Sequence, residues 1–512
     1  MALAGADIGT VPIPGRCGAS RALRLAVASR PGHAKGSSSS GGNCRPRPSA
    51  RRPTVSDLAE DVNQGDVYQG RFWLPDHGAD AVLGELTLSA GTRARLDLDQ
   101  ALTPYLREVD GEKQPSGSRA LVLRESGPLH ERLDVYGVLE DATEVAFLGA
   151  THDRQTLRPR SAVLGGHVSG EARYTRLRLR LRYLDEWAMP LSAASAPSPA
   201  SLGDGGSVSV EWDTPTRPSP SQGGELGRVA WLGLDGLPPS TEQELDRRFV
   251  TPLASLLSLA VDKDCPPVAI EMATGPDEPW LTVHHSGLET PAAVPRPWYL
   301  QLLPLDYLGL ERVASWLDAV ERLGPLPPVV ARATGGSGGT LETQLLELCT
   351  VTEGLHRRLF PNSRRLSEPE KAAARTAVGA AITDLEDGVQ EAVRGAIQHI
   401  EEPSFPMRLL ELAQCVEPAV PGVTGQTNKW KGCVTDVRHE FAHRLKGGFL
   451  ATARIDELIA VRQSLRWFLM GLLLQTGVEP TELATRFRDH QPYVLFLQEA
   501  REWLPRVFEA PA

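Results

Sequence analysis

Apolar residues change their spacing along the chain, and the change marks its parts. Between 56 and 187 they fall in short runs broken by glycine and polar residues: Leu83, Leu86 and Leu88, then Leu96 and Leu98, with Gly84 and Gly91 among them. Further candidate strands lie at 120–123, 134–139 and 144–148. Such runs separated by turn residues predict an antiparallel sheet or sandwich. The clearest strand is 176–184, where Arg176, Arg178, Arg180 and Arg182 alternate with Leu177, Leu179, Leu181 and Tyr183. A period of two puts the arginines on one face and the apolar set on the other. Read alone, this is an edge strand whose like charges face solvent and discourage pairing with other chains. No aromatic residues interleave the arginines, as a stacking surface for RNA would require.

The stretch 191–227 is rich in Pro, Ser and Gly and reads as a loop. Beyond it, 241–261 and 309–323 have helical spacing, and 267–273 and 280–284 read as strands. His284 and His285 are neighbours on a strand, so they point to opposite faces and are expected to be structural or surface residues. The glycine run at 334–339 lacks the lysine of a phosphate loop and reads as a linker. From 341 onward the period is helical. The first helix, 341–360, carries Leu345, Leu348, Thr352, Leu355 and Leu359. Ser367 and Glu370 form a capping box that opens a second helix, expected to run to about 400, before Pro403. A third segment starts near Met407, breaks at 418–425 and resumes through 429–445; a fourth covers 451–475. Four long helices with short connections predict an up-and-down bundle. The expected fold class is therefore multidomain: a tail (1–54), a β-rich α+β domain (55–333), a linker (334–340) and an all-α helical bundle (341–512).

Composition narrows the function. A chain of 512 residues can bury two or three separate cores. Its net charge of −10 argues against a surface that is basic all over, so any nucleic-acid contact is confined to one site. The six cysteines are scattered without a C-x-x-C pair, which suits free thiols in the cytoplasm better than disulfides or a zinc ribbon. The longest apolar run, 467–474, is far short of the roughly 20 residues of a membrane span. The first 54 residues are rich in Arg, Ser, Gly and Pro with Asp7 the lone acid, the composition of a flexible tail.

Two histidines in one helical segment, Val437-Arg438-His439-Glu440-Phe441-Ala442-His443, are the strongest chemical signal. At about 100° per residue, Arg438, His439 and His443 share an arc of roughly 140°, and Asp436 falls near His443. Trp430, Val434, Val437 and Phe441 supply the apolar flank. Lys429, Lys431, Arg438, Arg444 and Lys446 outnumber Asp436 and Glu440, a local positive charge suited to a phosphate-bearing ligand such as RNA.

Arg438-His439-x-x-x-His443 resembles the R-[N/H/D]-x-x-x-H motif of HEPN domains, and its surroundings resemble the ApeA-like branch of bacterial abortive-infection proteins. Glu353-Gly354-Leu355-His356, Arg408-Leu409 and Trp430 carry the resemblance in the helical region. Gly70-Arg71-Phe72-Trp73-Leu74-Pro75 and Val82-Leu83-Gly84-Glu85-Leu86 resemble the start of the ApeA N-terminal domain. Position 439 is His where many members carry Asn. The resemblance implies an RNA-cleaving toxin in anti-phage defence that needs neither metal nor cofactor. Arg438 and His443 would be catalytic, with His439 orienting the phosphate or its partner histidine. It also implies a homodimer through the C-terminal bundle, bringing two motifs to one cleft. The N-terminal domain would sense a phage-derived trigger or restrain the toxin. Lys429, Lys431, Arg444 and Lys446 are the expected RNA-binding residues, and Glu353 and His356 are expected to be structural contacts of the bundle.

Two other readings compete. The same letters spell H-E-x-x-H, a zinc-protease signature in which His439 and His443 bind metal, Glu440 is the base and Glu457 a possible third ligand. Charged Arg444 after the second histidine counts against it, as does the lack of a strand-rich protease context. Alternatively the bundle binds nucleotides, RNA or a partner without catalysis, or the histidines are simply solvated.

Overall fold

The computed structural model describes residues 65–100, 102, 106–109, 112–115, 133–153, 155–189, 197–213, 228–290, 300–334, 339–443 and 454–509, with the side chains of 106–109, 112–115, 133, 152–153, 334 and 443 outside that set. The expected tail, the candidate strand at 120–123, most of the glycine run at 334–339, and Arg444 and Lys446 all lie outside the described residues.

The chain is β-rich first and helical afterwards. Strands β1 (Asp66–Trp73), β2 (Val82–Leu88) and β3 (Arg95–Leu98) form an antiparallel meander, with Gly70 opposite Gly84 and Phe72 opposite Val82. A separate hairpin, β4 (Leu106–Val109) and β5 (Glu112–Pro115), follows. Next come β6 (Leu133–Leu139), β7 (Glu144–Asp153), β8 (Thr156–Arg158) and β9 (Ser161–Leu164). Short β8 pairs with both β3 and β7, closing the ring β7-β6-β1-β2-β3-β8 into a barrel where an open sheet or sandwich was expected. Closure removes the two free edges an open sheet would leave. The barrel has its own core, centred on Phe72, Leu86, Leu96, Val135 and Phe147. Phe72 fills it because neighbouring strands carry glycine there: a Cβ on Gly137 would overlap the Phe72 ring.

Strand β9 also leads into an open antiparallel sheet. Its other members are β10 (Arg176–Leu181), β11 (Ala200–Ser201), β12 (Ser207–Asp213), β13 (Val229–Asp235), β14 (Pro267–Ala273) and β15 (Leu281–His285), in the order β9-β15-β14-β10-β13-β12-β11. Two expectations need correcting. The span 191–227 is not one loop: β11 and β12 lie inside it, and Val208 and Val210 of β12 are buried. The arginine strand is not an edge either. β10 is central, between β13 and β14, and ends at Leu181 because Tyr183 turns left-handed (φ 67) ahead of the short helix α1 (Leu184–Ala188). Its arginines can sit inside the sheet because each meets an acid: Arg176 pairs with Asp235, Arg178 with Asp213 and Glu271, Arg180 with Asp185, and Arg182 with Glu289. Aromatic partners arrive from other segments, since Arg178 stacks on Trp231 at 4.5 Å and on Trp280 at 4.9 Å.

Leu177, Leu179 and Leu181 face the opposite way, into a second core. The expected helix at 241–261 is α2 (Glu242–Leu245), a π-helical turn at Asp246–Val250 and α3 (Thr251–Val261). Helices α4 (Leu305–Leu308), α5 (Leu310–Leu323) and α6 (Leu326–Thr334) follow, then α7 (Leu341–Leu359), α8 (Glu368–Ala381), α9 (Asp387–Ala396), α10 (Phe405–Val416), α11 (Thr427–His443) and α12 (Ile455–Leu474). The chain ends in α13 (Pro480–Asp489), α14 (Gln491–Trp503) and α15 (Pro505–Phe508). One core runs without a break from the sheet through α3, α5 and α6 into α7 and α10–α12.

The bundle has four central helices, but not the four expected. They are α7, α10, α11 and α12, which all pack on one another. The span 367–400 is two helices rather than one. The backbone leaves the helix at Ile382, and Gln390 caps the freed carbonyls of Thr383 and Leu385 at 3.2 and 2.8 Å. Neither α8 nor α9 buries a residue. No helix among the described residues is long and apolar enough to cross a membrane, and the four described cysteines are free thiols.

Candidate functional site

Helix α11 carries the Arg–His motif, and its apolar residues fix which way the motif faces. Trp430, Val434, Val437 and Phe441 recur at helical spacing and are all buried. Trp430 anchors the helix: its ring lies 5.1 Å from that of Phe468, and its Nε1 donates to Ser464 at 2.8 Å. The opposite flank is left at the surface, with Asp436 and His439 exposed and Arg438 partly so.

Arg438 is held from two sides. Its Nη2 donates to Glu353 Oε2 of α7 at 3.0 Å, and its guanidinium lies 4.6 Å from the Phe405 ring centre at the start of α10. Glu353 Oε1 accepts from Arg357, one turn later, at 3.3 Å. Arg357 forms an ion pair with Glu402 Oε2 at 3.0 Å, and Arg408 donates to the same oxygen at 3.1 Å. Arg408, nearly fully buried, also donates to the Pro403 carbonyl and to His356 Nδ1, each close to 3 Å (3.0 and 3.1 Å). Because an arginine can only donate, His356 Nδ1 accepts, and its Nε2 carries the proton toward Glu411 at 2.7 Å. Ser363 donates to the same carboxylate at 2.8 Å.

These contacts shift several groups. Burial pushes Glu411 up, but hydrogen bonds from His356 and Ser363, with the charge of Arg408, outweigh it and leave the carboxyl below its usual value. Burial lowers Arg408 from its usual value, nearby Arg357 adds to this, and Glu353, Glu402 and Glu411 oppose it. Cys349, one turn before Glu353, is pushed up by burial to about 12 and so is a neutral thiol.

The structure thus brings Arg438 and His439 to one surface flank of α11. His443 is the last residue of that helix, five residues beyond Arg438, which is about 7.5 Å along the axis. Seven residues separate Lys431 from Arg438, so the two share a face two turns apart. Lys429, nine residues away, lies on the opposite side. His356 is a buried contact of the bundle, as expected. Glu353 is more than that, being the direct partner of the motif arginine. Sequence reasoning missed this link, along with Phe405, Glu402 and Glu411. The available signal was Glu353, His356 and Arg357 at i, i+3 and i+4 on a helix whose other face is apolar.

The two carboxylates that a zinc protease would use are engaged elsewhere. Glu440 pairs with Arg454 at 3.1 Å, and Glu457 with Arg454 and Arg506 at 3.8 and 3.1 Å.

Two family models match the chain: ApeA N-terminal domain 1 over residues 67–218 and Apea-like HEPN over residues 346–481. The first spans the barrel and extends through β12. The second runs from Leu346, within α7, through α10, α11 and α12 and covers the whole motif. No curated protein and no solved structure matches the chain. With the two domains in this order along one sequence, the chain belongs to the ApeA-like HEPN family.

Proposed function

We propose that the helical region is a metal-independent endoribonuclease, the toxin effector of an anti-phage abortive-infection protein, and that the β-rich region senses the trigger or restrains the toxin. The observation that carries the reading is Arg438, an arginine braced by Glu353 and Phe405 at the surface of the helix that ends in His443. In the proposed reaction a ribose 2′-OH attacks the adjacent phosphorus. The hydroxyl proton goes to a base, the bond to the 5′-oxygen breaks, and that oxygen takes a proton from an acid. His443 serves as acid or base, since an imidazole works in either direction near neutral pH. Arg438 holds the phosphate as negative charge builds on it, and His439 orients the phosphate or the second histidine. Lys431 extends the positive face along α11, and Arg444 and Lys446 complete the RNA-binding set; Lys429, on the far side of the helix from Arg438, drops out of it.

A single motif offers one acid–base histidine in each chain, so the active form is a homodimer with two motifs facing one cleft. Light scattering on the full chain is expected to give twice the chain mass. A fully active monomer would sink this part of the reading.

The test of the activity is purified chain incubated with total RNA in EDTA, with the products sequenced. Cleavage is expected to persist, and Glu440→Gln to cut RNA within about threefold of the unsubstituted rate, because Glu440 serves Arg454 rather than a metal-bound water. Loss of cleavage in EDTA, stoichiometric zinc and an inactive Glu440→Gln would instead establish the protease chemistry.

A further inference from the structure

We propose that Glu353 is the positioning residue for Arg438, presenting the guanidinium to the scissile phosphate; the inference rests on the ribonuclease reading above. An arginine that is 38% exposed would ordinarily sample many rotamers, and fixing it costs about 2 kcal/mol of side-chain entropy. Here the restraint is built in beforehand. Glu353 takes one terminal nitrogen and the Phe405 ring covers one face of the guanidinium. No other hydrogen bond to Arg438 exists among the described residues, so the remaining N–H groups of its guanidinium are left to donate to phosphate oxygens.

Glu353 is itself fixed from outside α11. Acid and base alternate from Arg438 to Glu353, Arg357, Glu402 and Arg408, ending at Arg408 and His356, two side chains that are 4% and 0% exposed. The direction of the motif arginine is therefore set by α7 and α10, two of the helices packed beside its own. Glu353 is not the general base, because each of its oxygens already accepts from a guanidinium.

This role makes a prediction opposite in sign to a purely electrostatic one. Removing an acid beside a phosphate site should tighten RNA binding and, if charge alone mattered, speed cleavage. Removing a positioning group should lower kcat and leave KM unchanged or lower.

The experiment measures kcat and KM for RNA cleavage by full-length Glu353→Ala, Glu353→Gln and Arg438→Ala, each checked for folding by thermal melting. Glu353→Ala is expected to lose about 10- to 100-fold in kcat without a rise in KM. Glu353→Gln keeps an acceptor at the same place and is expected to recover to within about tenfold of the parent. Should Glu353→Ala not fold, the isosteric Gln variant decides, with a kcat about 3- to 10-fold below the parent. Wild-type kcat in the readable variant, or a loss confined to KM, overturns the positioning role while an inactive Arg438→Ala leaves the ribonuclease standing. If Arg438→Ala cuts at the parental rate, or the unsubstituted chain cuts no RNA, the ribonuclease reading falls and the inference with it.

Discussion

Replacing Arg438 or His443 by alanine is expected to abolish RNA cleavage, and toxicity on expression, in a protein that still folds. A single preorganised donor to a developing oxyanion contributes about 10²- to 10³-fold in rate, and a general acid or base about 10²- to 10⁴-fold. Each substitution is therefore expected to take cleavage to background. Folding should survive Arg438→Ala for a specific reason. The ion pair it breaks is partly solvated, and Glu353 keeps Arg357, so no carboxylate is left buried and alone. Pairs of this kind contribute about 0–1 kcal/mol. Inactivity with an unchanged melting temperature would separate chemistry from stability. If both variants stay folded and cut RNA at the parental rate, the catalytic assignment is wrong.

What could be read ahead of the structure depended on how local each feature is. The Arg438–His443 motif and its apolar flank lie within one helix, so periodicity alone places Trp430, Val434, Val437 and Phe441 toward the core. The partner of Arg438 could not be found that way, because Glu353 is 85 residues upstream and meets it only once α7 and α11 pack together. The arginine strand teaches the same point. Alternation correctly puts Leu177, Leu179 and Leu181 on the buried face, whereas the acids that meet the strand's arginines come from as far as 107 residues away. Barrel closure rests on β8, three residues long and too short to show any alternation. The break within 367–400 has no comparable local signal, because a strong capping box marks where a helix starts and says nothing about where it stops.

The β-rich and helical regions are joined by a buried charge cluster, and Arg466→Met is expected to lower stability by about 3–5 kcal/mol. Arg466 lies on α12 and pairs with Asp262, the left-handed residue (φ 57) that ends α3; His490, between α13 and α14, approaches the other carboxylate oxygen at 3.6 Å. These residues are 6%, 6% and 4% exposed, and Trp467 lies under the guanidinium at 4.1 Å. Burial pushes Arg466 down to about 9, which still leaves it charged at neutral pH. Taking two charges out of water is unfavourable, so the pair as a whole adds little; removing one partner is what costs, because the other remains buried without its countercharge. Arg466→Met keeps most of the side-chain volume and strips only the charge, so its effect reports on Asp262 rather than on a cavity. Asp262→Asn should be comparably harmful, since it leaves Arg466 charged among apolar neighbours. The double variant Asp262→Asn with Arg466→Met removes both charges and is expected to recover most of either loss. Denaturant midpoints of the four full-length proteins test this directly. A single variant within about 1 kcal/mol of the parent, or a double variant whose loss equals the sum of the two singles, would mean that the cluster is not a coupled pair.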